Sequence, residues 1–380
     1  MVCFSLAIFR AKSANRAQTP RVGASWRRAA GAMLFAAGLT ANGATVTLAN
    51  AQAADQLLDS LNQVFSQQPL IIASGQAGSV NYMTAGVLCE VVQSAMGAEA
   101  PPCLVQPTTG SAENLDALIH GDVDLALVQS DREHVTANQL APYDQSEEAG
   151  RIRRISAMTV LPLHVVVKRA LMITEVSELK GASIGMGEEG TAQRLIGRVV
   201  LSTAGVRERD LGGIIGSSPG AQAAVFCNGD LDAVILSSTA PNPVVSQLLA
   251  DCDGQLLGLP QEQFGGLTSE NSYLVPIEIP AETYENQREA VPSFGYVISL
   301  VGFAGRRVPL VESLSAELLR VYGSLNDRFS GIGLVPADRL FAFGGSAPLH
   351  QGTANVNDAI SSDLVDLAPV DDLATVDGGN

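Results

Sequence analysis

The sequence predicts an α/β protein built on a mainly parallel sheet. Short apolar runs that suit strands alternate with segments of helical periodicity, which is typical of strands joined through helices. Of the 380 residues, 46% are apolar and 16% are charged, so the chain can bury a sizeable core. The length suggests two domains of ordinary size.

The predicted elements begin with a strand at Leu70–Ala73, followed by apolar residues at helical spacing over Tyr82–Met96. Further strands are expected at Leu125–Val128, Leu161–Lys168, Ser183–Gly185, Ala233–Leu236 and Tyr296–Val301. Further helices are expected at Thr191–Ala204, Ala221–Asn228, Leu310–Phe329 and Pro336–Leu340. Gly229 follows the helix Ala221–Asn228 and is expected to end it in a left-handed conformation.

The first 53 residues are typical of a secretory signal peptide. Arg27-Arg28 precedes an apolar run from Ala29 to Leu39, which is too short to span a bilayer, and Ala51-Gln52-Ala53 fits a cleavage site. We expect cleavage near Ala53 and export to the periplasm; an uncleaved membrane anchor is the alternative. Either Sec or twin-Arg export fits this pattern.

The charge distribution excludes one class of partner. Residues 1–53 hold six basic side chains and no acidic one, so the rest of the chain carries a net charge of −22. A body this acidic repels polyphosphate, and we expect no nucleic-acid binding.

Four cysteines remain after residue 53, and an even number in an exported chain favours disulfides. Pairing of sequence neighbours gives Cys89–Cys103 and Cys227–Cys252. Four buried thiols are the alternative, and a metal site is disfavoured because no C-x-x-C and no neighbouring His occurs. No cofactor is expected.

One sequence pattern suggests an enzyme. Gly216-Ser217-Ser218-Pro219-Gly220 fits the G-x-S-x-G elbow of serine hydrolases, with Ser218 as nucleophile and His350 as base. That elbow needs the backbone N–H of the next residue, and Pro219 has none. Ser218 as an N-cap before Pro219 explains the same residues more simply. We therefore expect no enzyme and keep the secreted hydrolase as the alternative.

Three Gly- and hydroxyl-rich loops each follow a predicted strand and open a helix. They are Ser74–Tyr82, Thr108–Asn114 and Gly185–Thr191. Free backbone N–H groups at a helix start suit a carboxylate or phosphate, and open α/β sheets bind ligands at the carboxyl ends of strands. Each loop alone is explained by an ordinary N-cap. Together they predict a cleft for a small molecule.

The sequence resembles the TAXI family of solute-binding proteins, which serve tripartite ATP-independent periplasmic (TRAP) transporters. The resemblance covers about residues 69–360. The residues that carry it are Ile71–Gly75 with Asn81-Tyr82, Gly110-Ser111 with Asn114, Leu118, Gly121 and Asp124, Val128–Asp131, Leu179 with Gly181, Ile184 and Gly185, Gly229 with Asp232-Ala233, and Pro348–Gly352.

The resemblance implies a type II periplasmic-binding-protein fold, in which two α/β lobes joined by crossing hinge strands close on a ligand. The crossings are expected near Leu161–Val167 and Pro276–Phe294. The implied organisation is a signal peptide at 1–53, a leader at 54–68, lobe one at 69–161 plus 293–360, lobe two at 162–292 and an acidic disordered tail at 361–380. The implied ligands are glutamate-like amino acids or small dicarboxylates, delivered to a TRAP-type permease.

One departure from the family pattern bears on the ligand. Glu188-Glu189 stands where family members often have Gly-Ser, before the retained Gly190-Thr191. Two carboxylates at a cleft mouth would repel an anion or bind an ammonium group. Alternatively, both side chains face solvent and complement the helix dipole.

The candidate ligand-binding residues share a position at or just after a predicted strand end. They are Ser74, Gly78, Ser79, Asn81, Tyr82, Gly110, Ser111, Asn114, Gln129, Ser130, Asp131, Glu189, Gly190, Thr191, Ser238 and Thr239. Tyr82 could equally be a core residue, and Ser111 with Asn114 could be only a cap pair. His350 is expected to be structural. The basic run Arg151, Arg153 and Arg154 is expected to be a solvated face, with a carboxylate-binding arginine as the alternative.

Overall fold

A computed structural model describes residues 68–328 and 335–366 of the chain. The predicted signal peptide, nearly all of the predicted leader and residues 367–380 of the predicted acidic tail lie outside the described residues. Every described residue belongs to one compact unit.

Lobe one contains the first three strands of the chain and the first part of the fourth. Its strands are β1 (Leu70–Ala73), β2 (Cys103–Gln106) and β3 (Leu125–Gln129), with the first part of β4 (Ile152–Lys168). Its helices are α1 (Val80–Met96), α2 (Ser111–His120) and α3 (Ser130–Ala137).

Lobe two follows from the second part of β4. Its strands are β5 (Ser183–Met186), β6 (Gly213–Gly216), β7 (Ala233–Ser237) and β8 (Gly254–Leu256), and β9 (Leu274–Ile279) leads back toward lobe one. Its helices are α4 (Ala192–Thr203), α5 (Pro219–Cys227), α6 (Pro243–Ala250) and α7 (Gln261–Glu270). The chain returns through β10 (Val291–Phe303) to α8 (Val308–Arg328) and α9 (Gln351–Asp366) in lobe one.

The two lobes share one continuous sheet with the strand order β2-β1-β3-β10-β4-β7-β5-β6. In lobe one, β1 pairs in parallel with β2 and β3, and β10 lies antiparallel between β3 and β4. In lobe two, β5 pairs in parallel with β6 and β7, and β7 is antiparallel to β4. The long strands β4 and β10 therefore join the lobes.

The register places the carboxyl ends of the two sets of strands opposite each other. The last residue of β3, Gln129, pairs with Ile298 of β10, which pairs with Thr159 of β4. The last residue of β7, Ser237, pairs with Leu163 of β4. At 3.3 Å per residue, the two strand ends are about 13 Å apart along β4. They point at each other because β3 runs parallel to β4 and β7 runs antiparallel to it.

Each lobe has a hydrophobic core on both faces of its sheet. In lobe two, Leu163, Val165 and Val167 of β4 pack with the α4 and α7 side, whereas Val166 packs with the α5 and α6 side. This alternation follows from the two-residue period of a strand. Lobe one is built in the same way, with α1 and α8 on one face and α2 on the other. The predicted fold class, a two-lobed α/β protein with crossing strands, is confirmed.

Most predicted elements occupy the expected residues, and four predictions differ. The predicted strand Tyr296–Val301 is only the middle part of β10, which spans Val291–Phe303. The predicted strand Leu161–Lys168 is only the second part of β4, which begins at Ile152. The predicted helix Pro336–Leu340 is a single 3₁₀ turn at Ala337–Arg339. The helix α9 runs to Asp366, so residues 361–366 of the predicted tail are helical.

Both predicted disulfides are present, Cys89–Cys103 and Cys227–Cys252. The first ties α1 to β2, and the second ties the end of α5 to the second residue after α6. Each disulfide therefore joins two segments of the same lobe, and neither disulfide links one lobe to the other. None of the helices in the described residues is long and apolar enough to cross a membrane.

Candidate functional site

The loop after β1 is joined to the loop after β2. The Ser74 hydroxyl donates to the Gln106 carbonyl at 2.9 Å, and the Thr108 N–H donates to the Gly75 carbonyl at 3.1 Å. Ser74 is fully buried. Its hydroxyl therefore holds two neighbouring strand ends together, which leaves it less suited to bind a ligand than the sequence predicted.

Asn114 extends this connection to β3. Its amide Nδ2 donates to the Ser74 carbonyl at 2.6 Å and to the Leu127 carbonyl at 2.7 Å, and its Oδ1 accepts from the Thr108 hydroxyl at 2.6 Å. The side chain is fully buried. The amide is used within the protein, where it fixes the three strand ends of lobe one as a single rim.

Ser111 and Ser130 also serve this rim. The Ser111 hydroxyl accepts from the Gln129 N–H at 3.0 Å. The buried Ser130 hydroxyl donates to the Tyr273 carbonyl at 2.7 Å and accepts from the Val297 N–H at 3.0 Å. Ser130 therefore anchors the start of α3 to β10 and to the residue that precedes β9. Gly110, with φ 136°, makes the turn into α2.

The start of α1 carries the most available candidates in lobe one. Ser79 is the N-cap and accepts from the Tyr82 N–H at 3.2 Å, and Gly78 before it has φ 82°, which favours glycine. Asn81 and Tyr82 are half-buried. Neither side chain has a hydrogen-bond partner among the described residues, so both remain free to meet a ligand.

Asp131 is the most unusual polar side chain of the rim. Its Oδ1 is buried and has no hydrogen-bond partner among the described residues, and the Arg132 Nε lies 3.7 Å from its Oδ2. Burial raises the pKa of Asp131, an effect that the charge of Arg132, nearby backbone N–H groups and the Gln129 side chain only partly offset. A carboxylate held in this state is a functional-site candidate.

Two tyrosines stand next to Asp131. The rings of Tyr273 and Tyr296 are stacked, with centroids 6.3 Å apart and planes inclined by 5°. Burial first, and then the charge of Asp131, raises the pKa of each tyrosine hydroxyl. Tyr296 lies on the crossing segment of β10, where it pairs with Leu161 and Leu274.

The start of α4 forms the facing rim in lobe two. Thr191 is its N-cap and accepts from the Arg194 N–H at 3.2 Å, and Gly190 before it has φ 84°. The Gln193 amide donates to the Ile235 carbonyl of β7 at 3.1 Å, which joins this loop to the neighbouring strand. Gly216 at the end of β6 lies against the backbone of Gly187 and Glu188.

Glu189 is paired within lobe two. Its carboxylate oxygens lie 2.8 and 2.9 Å from the Arg198 Nη2, and Glu208 pairs with both Arg198 and Arg194. The two glutamates and the two arginines form a neutral network. The Glu189 side chain is 67% exposed, in keeping with the solvent-facing alternative, and its cationic partners leave it less suited to bind the ammonium group of a solute. The exposed Glu188 contributes its carbonyl, which accepts from the Thr191 hydroxyl at 2.7 Å.

Ser238 and Thr239 follow β7 at the cleft-facing strand end. The Ser238 hydroxyl lies 3.4 Å from the Nδ1 of His164, and the Tyr284 hydroxyl is hydrogen-bonded to its Nε2 at 2.8 Å. His164 is fully buried, and burial lowers its pKa to about 4. A neutral histidine, invisible to sequence motifs, therefore lies directly behind this strand end.

The serine-hydrolase alternative is not supported. His350 is buried, its Nε2 lies 3.2 Å from the Phe303 carbonyl and 3.0 Å from the Arg306 carbonyl, and its Nδ1 accepts from the Gly352 N–H. These partners all belong to lobe one, whereas Ser218 is the exposed N-cap of α5 in lobe two, with Pro219 at the first helical position. No base reaches Ser218 among these contacts, and His350 is structural as expected.

The sequence predicts that Arg151, Arg153 and Arg154 form a solvated face or include an arginine that binds a carboxylate. Neither interpretation describes Arg154. Its side chain is buried and donates to the carbonyls of Phe341 and Phe343, with the carboxylate of Glu133 nearby. It therefore fastens the segment before α9 to β4. Arg153 donates to the carbonyls of Gly150 and Ile152.

The described residues contain other features that could bind ligands. A cavity of about 360 Å³ lies between α7 and the β9–β10 pair and is lined by Phe264, Pro276 and Phe294 among others, but by none of the predicted site residues. Within the described ranges, no group of three or more His, Cys, Asp or Glu side chains is placed to hold a metal ion.

The sequence interpretation missed three residues of this region: Tyr273, Tyr296 and His164. Tyr296 was assigned to a strand without a role. Tyr273 precedes a strand that was not predicted, because Pro276 interrupts its apolar run. A sequence search for aromatic residues on the crossing segments would have found Tyr296, but not its stacking partner.

The fold is that of a two-lobed α/β protein whose strand ends face each other across β4. The chain belongs to the NMT1-like family, whose family model matches residues 72–356.

Solved structures of similar proteins include three solute receptors. The periplasmic aliphatic sulphonate binding protein SsuA from Escherichia coli is 15% identical, with 79% of this chain and 88% of that chain covered and a TM-score of 0.42. A TctC solute binding protein from Polaromonas is 15% identical, with 78% and 99% covered and a TM-score of 0.47. The L-cystine solute receptor of Neisseria gonorrhoeae, in its unliganded open conformation, is 11% identical, with 72% and 99% covered and a TM-score of 0.41.

Proposed function

We propose that this chain is a periplasmic solute receptor of the TAXI type. In this proposal it binds a small organic acid or amino acid, glutamate-like or dicarboxylate, between its lobes and delivers it to a TRAP-type membrane permease. No covalent chemistry on the solute is part of the proposal. Membership of the NMT1-like family and the TAXI-like motifs over residues 69–360 support it.

One structural observation carries the binding part of the proposal. The strand ends of the two lobes point at each other across Val160–Pro162 of β4, and helix starts lie beside both. Helix starts present unpaired N–H groups that favour the carboxylate of a solute. Asn81 and Tyr82 are the available side chains in lobe one. Ser238 and Thr239 lie at the strand end in lobe two, where the Ser238 hydroxyl donates to the Thr239 carbonyl at 3.2 Å.

The proposed lobes are residues 69–161 plus 293–360 and residues 162–292. Support for this division comes from β4, which pairs with β10 up to Pro162 and with β7 from Leu163 onward. A hinge at the crossing strands would let the solute shift the lobes toward a closed form, provided that it binds the closed form better.

The proposal is tested by the solutes that stabilise the purified chain. We expect at least one amino acid or small carboxylic acid to raise the melting temperature. At a solute concentration 100 times the dissociation constant, the free energy of unfolding should rise by about 2.7 kcal/mol. Mass spectrometry of molecules released on gentle denaturation should identify the same class. If neither method finds a solute across amino acids, carboxylic acids and sugars, the receptor function is contradicted.

A further inference from the structure

Asp131, Tyr273 and Tyr296 form a group whose chemistry points to one part of the solute. Two buried carboxylate oxygens in the described part of the chain lack a hydrogen-bond partner, Asp131 Oδ1 and Glu133 Oε2. Glu133 is held through its other oxygen by the Ser346 and Ala347 N–H groups, whereas Asp131 lies at the rim. Water has been removed from Asp131 Oδ1, and the protein supplies no donor in its place. Such an arrangement costs free energy unless another molecule provides the missing donor.

The position of the group is fixed by contacts on both sides of the crossing. Ser130, the residue before Asp131, is bonded to the Tyr273 carbonyl and to the Val297 N–H. Tyr296 is next to Val297 on β10 and lies between the paired residues Leu161 and Leu274. The group therefore lies in the gap between the strand ends, where the proposed solute would bind.

The neighbouring charges leave the carboxylate without a strong partner. The Arg132 Nε lies 3.7 Å from Asp131 Oδ2, which is longer than a hydrogen bond, and 46% of the Arg132 side chain is exposed. His134, one turn along α3, faces the Tyr273 ring at 5.3 Å and bonds to the Ser346 hydroxyl, not to Asp131.

Two stacked tyrosine rings beside a carboxylate suit a cation. Ring faces attract ammonium groups through their quadrupole, and the attraction grows when the site is desolvated. An ammonium group has three N–H donors, so it can supply a carboxylate oxygen and still face a ring. A carboxylate group of a solute would instead be repelled by Asp131.

We propose that Asp131 and the Tyr273–Tyr296 pair form an ammonium subsite, so that the solute is an amino acid and not a dicarboxylate. This inference rests on the proposed receptor function and narrows it. It also moves recognition of the ammonium group from Glu189, which is paired with Arg198, to lobe one.

The test uses matched pairs of solutes that differ only in the amino group: glutamate with glutarate, aspartate with succinate, and leucine with 4-methylpentanoate. Thermal shift and calorimetry are run on the purified chain. We expect the amino member of at least one pair to bind ten times more tightly or better than its partner. Binding of the dicarboxylate with equal or higher affinity overturns the subsite and leaves the receptor function standing. Failure of every solute contradicts the receptor function itself.

Asp131→Asn separates a ligand contact from a structural role. We expect it to weaken amino-acid binding at least tenfold without lowering the melting temperature of the free protein, because Arg132, nearby backbone N–H groups and the Gln129 side chain only partly offset the burial of the removed charge. Tyr273→Leu should weaken binding of the amino member more than that of its partner, and Asp144→Asn, on an exposed loop, should leave binding unchanged. Unchanged affinity in Asp131→Asn, or a tenfold loss in Glu189→Gln instead, overturns the proposal.

Discussion

His164 shows how a single buried side chain can make the stability of this protein depend on pH. It lies on β4 just beyond Pro162, is hydrogen-bonded to the Tyr284 hydroxyl and has its pKa lowered to about 4 by burial. In the unfolded chain its pKa returns to about 6.5. Between about pH 4 and pH 6.5, His164 is therefore protonated in the unfolded state and neutral in the folded state.

We expect stability to fall as the pH drops from 6.5 to about 4, with a contribution from His164 of about 3 kcal/mol. Urea unfolding at several pH values, for the wild type and for His164→Asn, measures it. The variant should lose this part of the pH dependence, whereas His120→Asn, at an exposed histidine, should keep it. Identical pH profiles for all three proteins would show that His164 is protonated in the folded state.

At the residue scale, the sequence located the strand-end loops better than it assigned their side chains. Ser74 and Asn114 have polar groups at the expected places, but both are used to join loops of the same lobe. A sequence does not distinguish a hydroxyl that caps a neighbouring strand from one that faces a ligand, because the partners are 32 and 40 residues away. The same limit hid the Tyr273–Tyr296 stack.

At the element scale, the same four-residue motif joins a helix to the next strand in both lobes. Gly121-Asp122-Val123-Asp124 and Gly229-Asp230-Leu231-Asp232 each end a helix with a left-handed glycine and begin the next strand. The Asp124 carboxylate accepts from the Ile71 N–H of β1 at 3.0 Å, and the Asp232 carboxylate accepts from the Ser183 N–H of β5 at 2.7 Å. The repeat escapes a sequence search because it is only four residues long and three of them are identical.

This motif predicts that its two aspartates contribute differently to the free energy of unfolding. Asp232→Ala leaves the Ser183 N–H without its acceptor and removes one of the two acceptors of the Ser183 hydroxyl, so we expect a loss of about 1–3 kcal/mol in the free energy of unfolding. Asp230→Ala, at an exposed side chain two residues earlier, should change it by less than about 0.5 kcal/mol. Urea unfolding of both variants checks this, and equal losses would contradict the assigned role.

Element boundaries were predicted well where apolar runs are uninterrupted and poorly where polar residues are buried. β4 was predicted only from Leu161 because Arg153, Arg154, Ser156 and Thr159 break the apolar pattern of its first part. Arg154 can lie in that strand because carbonyls of Phe341 and Phe343 receive its guanidinium. Those partners lie almost 190 residues along the chain, where no local pattern points to them.

At the scale of the whole molecule, the alternation of strands and helices was enough to predict the α/β class. It did not predict that β4 and β10 run through both lobes, because pairing between β4 and β10 depends on contacts made across the whole chain. That pairing sets the strand ends of the two lobes about 13 Å apart along β4 and makes a shared cleft possible.

Hydrogen exchange measured by mass spectrometry, with and without a solute that shifts the melting temperature, tests the central claim most directly. The account predicts that the solute slows exchange in both rims at once: residues 74–82 and 129–131 in lobe one, and residues 187–193 and 237–239 in lobe two. Slower exchange in one lobe only, or confined to the residues that line the cavity between α7 and the β9–β10 pair, would contradict binding between the lobes.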